Sequence, residues 1–510
     1  MSRINTNVQS LIAQRSLGQN NAALNQTLER LSTGLQINRG KDDPAGLIAS
    51  ENLRSELAAT NAAISNAERA DQVVNIAEGG LQEVSGLLTE LQGLLTATAS
   101  EAGLSEEEKN ANQLQIDSIL QTIDRIAGST NFQGEKLLNG NYDYQVDNVD
   151  TGIESFQVRG AKFNSTSQAV DLIVTQSAQQ AGLYLSFGGD INLQGAQGSN
   201  FTIELTGSLG SREFTFASGT TLATVANTIN TFSEVTGLVA TASGTGVSVQ
   251  SSEYGSDEFV SVRVTGDANI DNANLGLYDF QAADATAVNT TRVSQFAALN
   301  NEYRDLGQDL GATINGVTAT SNGRDASINT DFLDVSITLD VANSQQLGRV
   351  DAFDITGGGA DFQLAADVDI AGKVSLGIQD VSVRKLGLSV ANPGAADQVK
   401  YFLDDLGQGQ PLNVVEGDLV EAQKVVGNAI AEISALRGRL GAFQRNTVGA
   451  TVRSLQIAVE NTAAAESVIR DADFASETAE LTRAQILTNA ATNSLSLANQ
   501  SPQQVLQLLG

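Results

Sequence analysis

Any chemistry in this chain falls to carboxylates, hydroxyls and amides, because it holds 59 Asp and Glu residues but no His and no Cys. Without Cys there is no thiolate nucleophile, no thiolate metal site and no disulfide framework. Without His the commonest general base and the commonest transition-metal ligand are both missing. Ser-His-Asp and Cys-His catalysis are therefore excluded. What remains is a carboxylate pair for hydrolysis, or an oxygen-ligand site for Ca²⁺ or Mg²⁺. No acidic pair stands out by its spacing from the general acidity. The stretch Asp267–Asn274 offers oxygen ligands suited to calcium, but Asp and Asn at such density are equally ordinary turn residues. The expectation is a chain with no catalytic, cofactor-binding or metal residues, and hence no enzyme.

The 510 residues suggest two to four domains, and a 41% hydrophobic content allows sizeable cores. No run approaches the ~18 apolar residues of a membrane helix. The start, Met1 to Asn7, lacks the apolar stretch of a secretory signal, so export is expected to use no cleaved leader. The chain has only four Pro, which limits slow cis/trans steps and suits refolding after passage in an unfolded state. Net charge is −30. By segment it is about −7 over residues 1–140, about −4 over 400–510 and about −19 between them. So acidic a middle repels nucleic acid and anionic membranes, and either serves solubility alone or faces water at high local concentration.

Helical periodicity occupies both ends and disappears between them. Leu24, Leu28, Leu31 and Leu35 step by four, three and four residues, after an earlier piece in Ile4, Val8 and Leu11. The stretch Asn38–Pro44 interrupts. Asp43 is placed to cap a following helix, with Pro44 at its first position. Gly34, Gly40 and Gly46 suit a tight turn there. The second helix carries Val74, Ala77, Leu81, Val84, Leu88, Leu91 and Leu95 on one stripe, and Gly103 ends it. Ser105 and Glu108 then form a capping-box pattern ahead of Ile116, Leu120, Ile123 and Ala127. Near the other terminus Leu419, Ala422, Val426, Ala429, Ile433, Leu436, Leu440, Phe443, Thr447 and Ala450 step regularly, and the register continues through Ile457 to Val468. A last helix, about 474–500, offers Ile486, Leu487, Ala491, Leu495 and Ala498. Pro502 is expected to kink or restart it, and Val505, Leu506, Leu508 and Leu509 follow.

Residues 141–399 alternate instead in short runs, at Phe201–Leu205, Phe214–Phe216, Phe259–Val264 and Val335–Leu339, separated by Gly, Asn, Asp and Ser. A short helix is predicted over Leu222–Ile229. The fold class read from this pattern is α+β: terminal helical coiled-coil or bundle layers with a β-rich central insertion of one or two small domains. The segments 1–40 and 470–510 are rich in Asn, Gln, Ser and Ala. They hold few large side chains for a monomeric core, and such segments order on association.

The order of motifs at both termini resembles that of the bacterial flagellins. The N-terminal match is Ile4-Asn5-Thr6-Asn7, Leu31 to Asn38, and Asp42-Asp43-Pro44-Ala45-Gly46; the C-terminal match is Ile469 to Glu477, Gln485-Ile486-Leu487, Ala498 to Gln503 and Val505 to Leu509. It covers about half the chain. The resemblance implies a structural subunit of the flagellar filament that polymerises into a hollow helical tube used for swimming. It implies an inner coiled-coil layer of residues 1–43 with 470–510, built on Ile4, Val8, Leu11, Leu24, Leu28, Leu31, Leu35, Ile486, Leu487, Ala491, Leu495, Ala498, Val505 and Leu509. It implies an outer helical layer of residues 44–140 with 400–469, with a seam of Val74, Leu81, Val84, Leu88, Leu91, Leu95, Val426, Ile433, Leu436, Leu440 and Phe443. Residues 141–399 would project outward, and within them 199–266 look like a hook IN-type module, of which 311–316 begins a second copy. The implied partners are further copies of itself, an export chaperone on the last ~40 residues, the type III export apparatus, the filament cap and the hook-junction proteins. No cofactor, nucleic acid or membrane insertion is implied, and the location is the extracellular filament.

Two departures matter. Many flagellins carry Leu-Gln-Arg-Val-Arg-Glu-Leu in the middle-layer helix, and its arginine is contacted by the animal Toll-like flagellin receptor. Here the stretch reads Leu88-Thr89-Glu90-Leu91-Gln92-Gly93-Leu94, so Glu90 reverses the charge at the recognition position. The order Gln444-Arg445-Asn446 also differs from a common Gln-Asn-Arg. Hook–filament junction proteins share both terminal patterns and are the main rival; the stretch Ala498 to Gln503 favours the filament subunit. Flagellins with an inserted zinc protease carry a His-Glu-x-x-His motif, which a chain without His cannot contain.

Overall fold

A computed structural model describes residues 6–100, 104–163, 167–194, 200–266, 270, 275–281, 284–391 and 398–509, without the side chains of 284–286 and 501–509. Ile4, Gly103, most of Asp267–Asn274, and the side chains of Val505 and Leu509 lie outside that description. Seven helices longer than eight residues are present among the described residues: α1 (Val8–Thr33), α2 (Pro44–Thr98), α3 (Glu106–Ser129), α4 (Leu222–Asn230), α5 (Leu419–Ala442), α6 (Gly449–Arg470) and α7 (Phe474–Leu509). Helices lie at both ends and strands between them, the α+β arrangement predicted from periodicity. The chain divides into two compact units: Met1–Gln72 with Phe362–Lys373 and Ala442–Gly510, and Val73–Asp361 with Val374–Gly441.

Local sequence explains the helix starts. Asp43 Oδ1 accepts the backbone N–H groups of Ala45 and Gly46 at 3.1 and 3.0 Å, satisfying donors that the first turn of α2 leaves open. Ser105 closes a reciprocal capping box: its hydroxyl accepts Glu108 N–H at 3.3 Å, and the Glu108 carboxylate accepts Ser105 N–H at 2.9 Å. α1 ends at Gly34, whose left-handed φ of 73° lets its N–H close on the Arg30 carbonyl at 2.8 Å. Gly46 is required for space, since a Cβ there would come within 2.7 Å of the Ile37 side chain. Pro502 does not restart the last helix, since α7 runs as one helix from Phe474 to Leu509.

In the first unit α1 and α7 form an antiparallel pair. Asn7 donates to the Ala498 carbonyl at 2.8 Å, Asn20 to that of Leu487 at 3.1 Å, and Arg30 pairs with Glu477 at 3.2 Å. The segment after α1 is tied to the start of α7 by Gln36 N–H to Arg470 C=O at 2.7 Å and Ala472 N–H to Gly34 C=O at 2.9 Å. Residues 44–72 of α2 run beside α6, joined by Arg470–Glu51 at 3.1 Å and Arg54–Glu466 at 3.8 Å. These surface ion pairs fix register and contribute little energy.

One expectation fails. The spacing predicts an unbroken stripe from Phe443 through Thr447 to Ala450. Residues Phe443–Val448 instead form a π-helical turn, and the next buried position after Phe443 is Val448, five residues on; Ala450 is exposed. A π turn inserts one residue, so every later side chain moves to a new face of the helix. Phe443 packs against Phe362 with ring centroids 6.1 Å apart.

The second unit holds three buried helical faces and two β cores. Residues 73–98 of α2, α3 and α5 each bury one apolar face, with Arg437 of α5 paired to Glu78 of α2 at 2.8 Å. Gln113 of α3 is almost fully buried; its side chain donates to the Leu406 carbonyl and accepts Val414 N–H, both at 2.9 Å. One β core is built from a five-stranded sheet, in the order 284–294, 276–281, 182–186, 246–251, 238–243, and a four-stranded sheet, in the order 303–306, 259–266, 200–206, 211–217. α4 covers it with Val225, Ala226 and Ile229. Phe201 faces Phe216 and Ile203 faces Phe214 across the strand pair, so period-two alternation puts all four inside. Five of the nine strands come from residues 200–266 and four from flanking segments. The other core has a five-stranded sheet, in the order 317–318, 311–314, 168–176, 348–358, 144–147, and a four-stranded sheet, in the order 320–322, 325–329, 333–339, 153–161. The chain passes between the cores twice, at 177–181 and 307–310, where Gln179 and Gln308 exchange backbone hydrogen bonds of 2.8 and 2.9 Å.

Candidate functional site

The predicted outer seam lies inside. Val74, Leu81, Val84, Leu88, Leu91, Val426 and Leu440 are fully buried, and Leu95, Ile433, Leu436 and Phe443 nearly so. Each such aliphatic side chain stabilises the fold by roughly 1.5–3 kcal/mol. Glu90 sits between Leu88 and Leu91 on the solvent face of α2.

The terminal helices behave differently. The α1–α7 pair closes through small or polar side chains: Ser10, Thr27, Ala484, Ala491 and Glu477 are its buried residues. Ser10 donates its hydroxyl to Asn499 at 2.8 Å. Leu24, Leu31, Leu35, Leu495 and Ala498 are partly covered. Val8, Leu11, Leu28, Ile486 and Leu487 are exposed, as are Ile12 and Leu497; Leu11 reaches 59%, Ile486 62% and Leu497 69%. α6 buries no residue at all in the single chain, and its Ile457 and Val468 face outward.

An exposed Leu by itself means nothing, because more than half of any protein surface is apolar. Alignment is what distinguishes these. Ile486 and Leu497 are eleven residues apart, three helical turns, and fall on one face; Val8 and Ile12 are one turn apart. A 26-residue α1 and a 36-residue α7 held together by few large contacts are marginal alone. Rows of apolar groups left open on long, weakly cored helices mark interaction surfaces. Among the described residues no group of three or more Asp and Glu side chains is placed to hold a metal ion. No described helix is long and apolar enough to cross a membrane.

Such a molecule falls in the class of structural subunits that assemble through paired terminal helices. Residues 4–143 match the bacterial flagellin N-terminal helical region and residues 423–509 the bacterial flagellin C-terminal helical region. Flagellin B of Helicobacter pylori is 26% identical over 532 aligned residues, covering 99% of both chains. Flagellin of Salmonella typhimurium is 27% identical, again over 99% of both. A solved structure of FliC from Burkholderia pseudomallei is 14% identical, covers 74% of this chain and 99% of its own, and aligns at a TM-score of 0.22, too low to support an architectural argument. The chain belongs to the bacterial flagellins. It is a structural protein and not an enzyme.

Sequence periodicity located the apolar residues of both termini but missed the polar contacts that pair α1 with α7. Asn7, Ser10, Asn20 and Arg30 carry no pattern that separates them from other surface residues. The one available signal was the shortage of large side chains in those segments.

Proposed function

We propose that this protein is the repeating subunit of a flagellar filament and that its terminal helices complete their burial only in the polymer. The carrying observation is the contrast between the closed seam of residues 74–95 and 426–440 and the open apolar rows on α1, α6 and α7. Where one such face of a subunit meets a different face of the next, the contact is heterologous, and repeated non-closing contacts of that kind generate helical filaments. In this reading residues 1–43 with 470–510 form the inner coiled-coil layer. Residues 44–140 with 400–469 form the layer around it. The acidic stretch 141–399, including the hook IN-like portion 199–266, projects into water and keeps neighbouring filaments apart by repulsion.

Before assembly the C-terminal segment exposes apolar groups. An export chaperone covering about the last 40 residues would prevent premature association. Passage through the type III export apparatus, folding under the distal cap and attachment to hook-junction proteins complete the set of partners. The deciding experiment compares full-length protein with a form lacking residues 1–40 and 470–510. Electron microscopy should show long filaments from the first and none from the second. Filaments from the trimmed form, or none from the intact form under seeded conditions, would overturn the reading.

The reversed charge at Glu90 extends the proposal to host recognition. A receptor surface that accepts an arginine meets a carboxylate here, and like-charge juxtaposition opposes binding. Purified monomer should activate a Toll-like flagellin-receptor reporter weakly or not at all; potency equal to that of an enteric flagellin would contradict this.

A further inference from the structure

The α1–α7 pair is almost free of charge along most of its length. Residues 4–28 contain one charged side chain, Arg15, and residues 484–510 contain none. Arg15 is exposed and has no ion-pair partner among the described residues.

The register of the pair explains why. Asn7 and Ser10 meet Ala498 and Asn499, Asn20 meets Leu487, and Arg30 meets Glu477. Arg15 therefore lies level with the uncharged stretch between Leu487 and Ala498. The acidic residues of the two helices are Glu29, Glu477 and Glu480, and all three sit toward the other end of α1. Glu480 follows Glu477 by three residues, which puts it level with about position 27 of α1. At 1.5 Å per residue that is ~18 Å along the axis from Arg15, too far for the two side chains of one copy to meet.

Both charges nevertheless stand in open apolar rows. Arg15 follows Ile12, Leu11 and Val8 by three, four and seven residues, so it shares their face of α1. Those three side chains are exposed. Glu480 shares a face of α7 with the exposed Leu487, seven residues on. When a neighbouring copy covers these rows, the Arg15 guanidinium loses water. That step is strongly unfavourable unless a carboxylate takes the place of the water.

Of the three carboxylates, two are committed. Glu29 is paired with Arg39 at 2.8 Å, and Glu477 is buried against Arg30 at 3.2 Å. Glu480 is half exposed and is held only by Arg483, one turn further along the same helix, at 2.9 Å. Such a surface pair contributes little, so Glu480 is free to turn to another cation. A guanidinium fork also fits a carboxylate at both oxygens.

We propose that Arg15 of each subunit pairs with Glu480 of an adjacent copy, displaced by ~18 Å toward the N-terminal end of α1. The proposal rests on the filament reading given above and adds to it one named contact and one distance. Between parallel copies displaced in this way the contact is heterologous and repeats without closing.

The test is a charge swap in the full-length protein: Arg15→Glu, Glu480→Arg and the two together. Critical concentration is measured in seeded assembly, filaments are viewed by electron microscopy, and the urea midpoint of the monomer serves as the control. Each single reversal brings like charges together and should raise the critical concentration about tenfold or more. The double variant restores an opposite pair and should return to within about threefold of the parent. Urea midpoints should match the parent throughout, since both side chains are exposed in the single chain. Reconstruction of the parental filament should show contacting copies offset by ~18 Å along α1. Single reversals that assemble at the parental concentration would overturn the pair and leave the filament reading standing. So would a double variant no better than the worse single, or contacting copies without that offset. A parent that forms no filaments would remove the filament reading and this contact with it.

Discussion

Replacing Ile486 by Ser should damage assembly while leaving the isolated subunit intact. Ile486 is 62% exposed in the single chain, so most of the roughly 1.5–3 kcal/mol available from burying an isoleucine has not been gained there. If neighbouring copies cover it in the filament, the substitution removes about 1–2 kcal/mol from each subunit addition, which raises the critical concentration about 5- to 30-fold. The control is Leu88→Ala. Leu88 is fully buried, and truncating a core leucine costs about 2–5 kcal/mol of fold stability. Two measurements separate the cases: the critical concentration by sedimentation of seeded reactions, and monomer stability by urea unfolding followed with circular dichroism. Ile486→Ser should shift the first and leave the second within about 0.5 kcal/mol, the range for exposed positions. Leu88→Ala should shift the second. An unchanged critical concentration for Ile486→Ser, or a loss of monomer stability as large as that of Leu88→Ala, would refute the claim that this face is reserved for other copies.

Two further outcomes follow from local geometry. Ser105→Ala removes one half of the capping box of α3 and should lower monomer stability by about 1 kcal/mol in urea titration; no change would mean that the helix start is held by tertiary contacts alone. Glu432 is held above its ordinary value by burial, against the lowering effect of N–H donors at Gly387 and Leu388. With a raised folded pKa, the native state holds the proton more tightly than the unfolded chain, so this carboxyl's contribution falls as pH rises from about 4.5 through the raised value. Glu432→Gln keeps an oxygen for the Gly387 N–H, 3.2 Å away in the parent. It should therefore be the more stable form at neutral pH, with the advantage shrinking toward pH 4; a pH-independent difference in urea midpoints would contradict the assignment.

The sequence by itself determined what is local. Steps of three and four residues placed α1, α2, α3, α5 and α7, because a helix repeats every 3.6 residues whatever surrounds it. Asp43, Ser105 and Glu108 marked helix starts, since each side chain satisfies a backbone group within three residues of itself, and Pro44 did so because its fixed φ and missing N–H suit the first helical position. Alternation found Phe201–Leu205, Phe214–Phe216, Phe259–Val264 and Val335–Leu339 as strands for the same reason. The terminal motifs carried the family. Tertiary structure alone decided which apolar residues are covered. Burial is non-directional, so a stripe announces that it needs a partner without saying which. That Leu88 is enclosed while Ile486 stands open depends on which helices lie beside each. The α1–α7 pairing depends on Asn7, Asn20 and Arg30 meeting residues more than 440 positions away. The π turn at Phe443–Val448 broke a stripe that looked continuous, because a turn widened by one residue alters the backbone hydrogen-bond step and leaves no mark in the residue types.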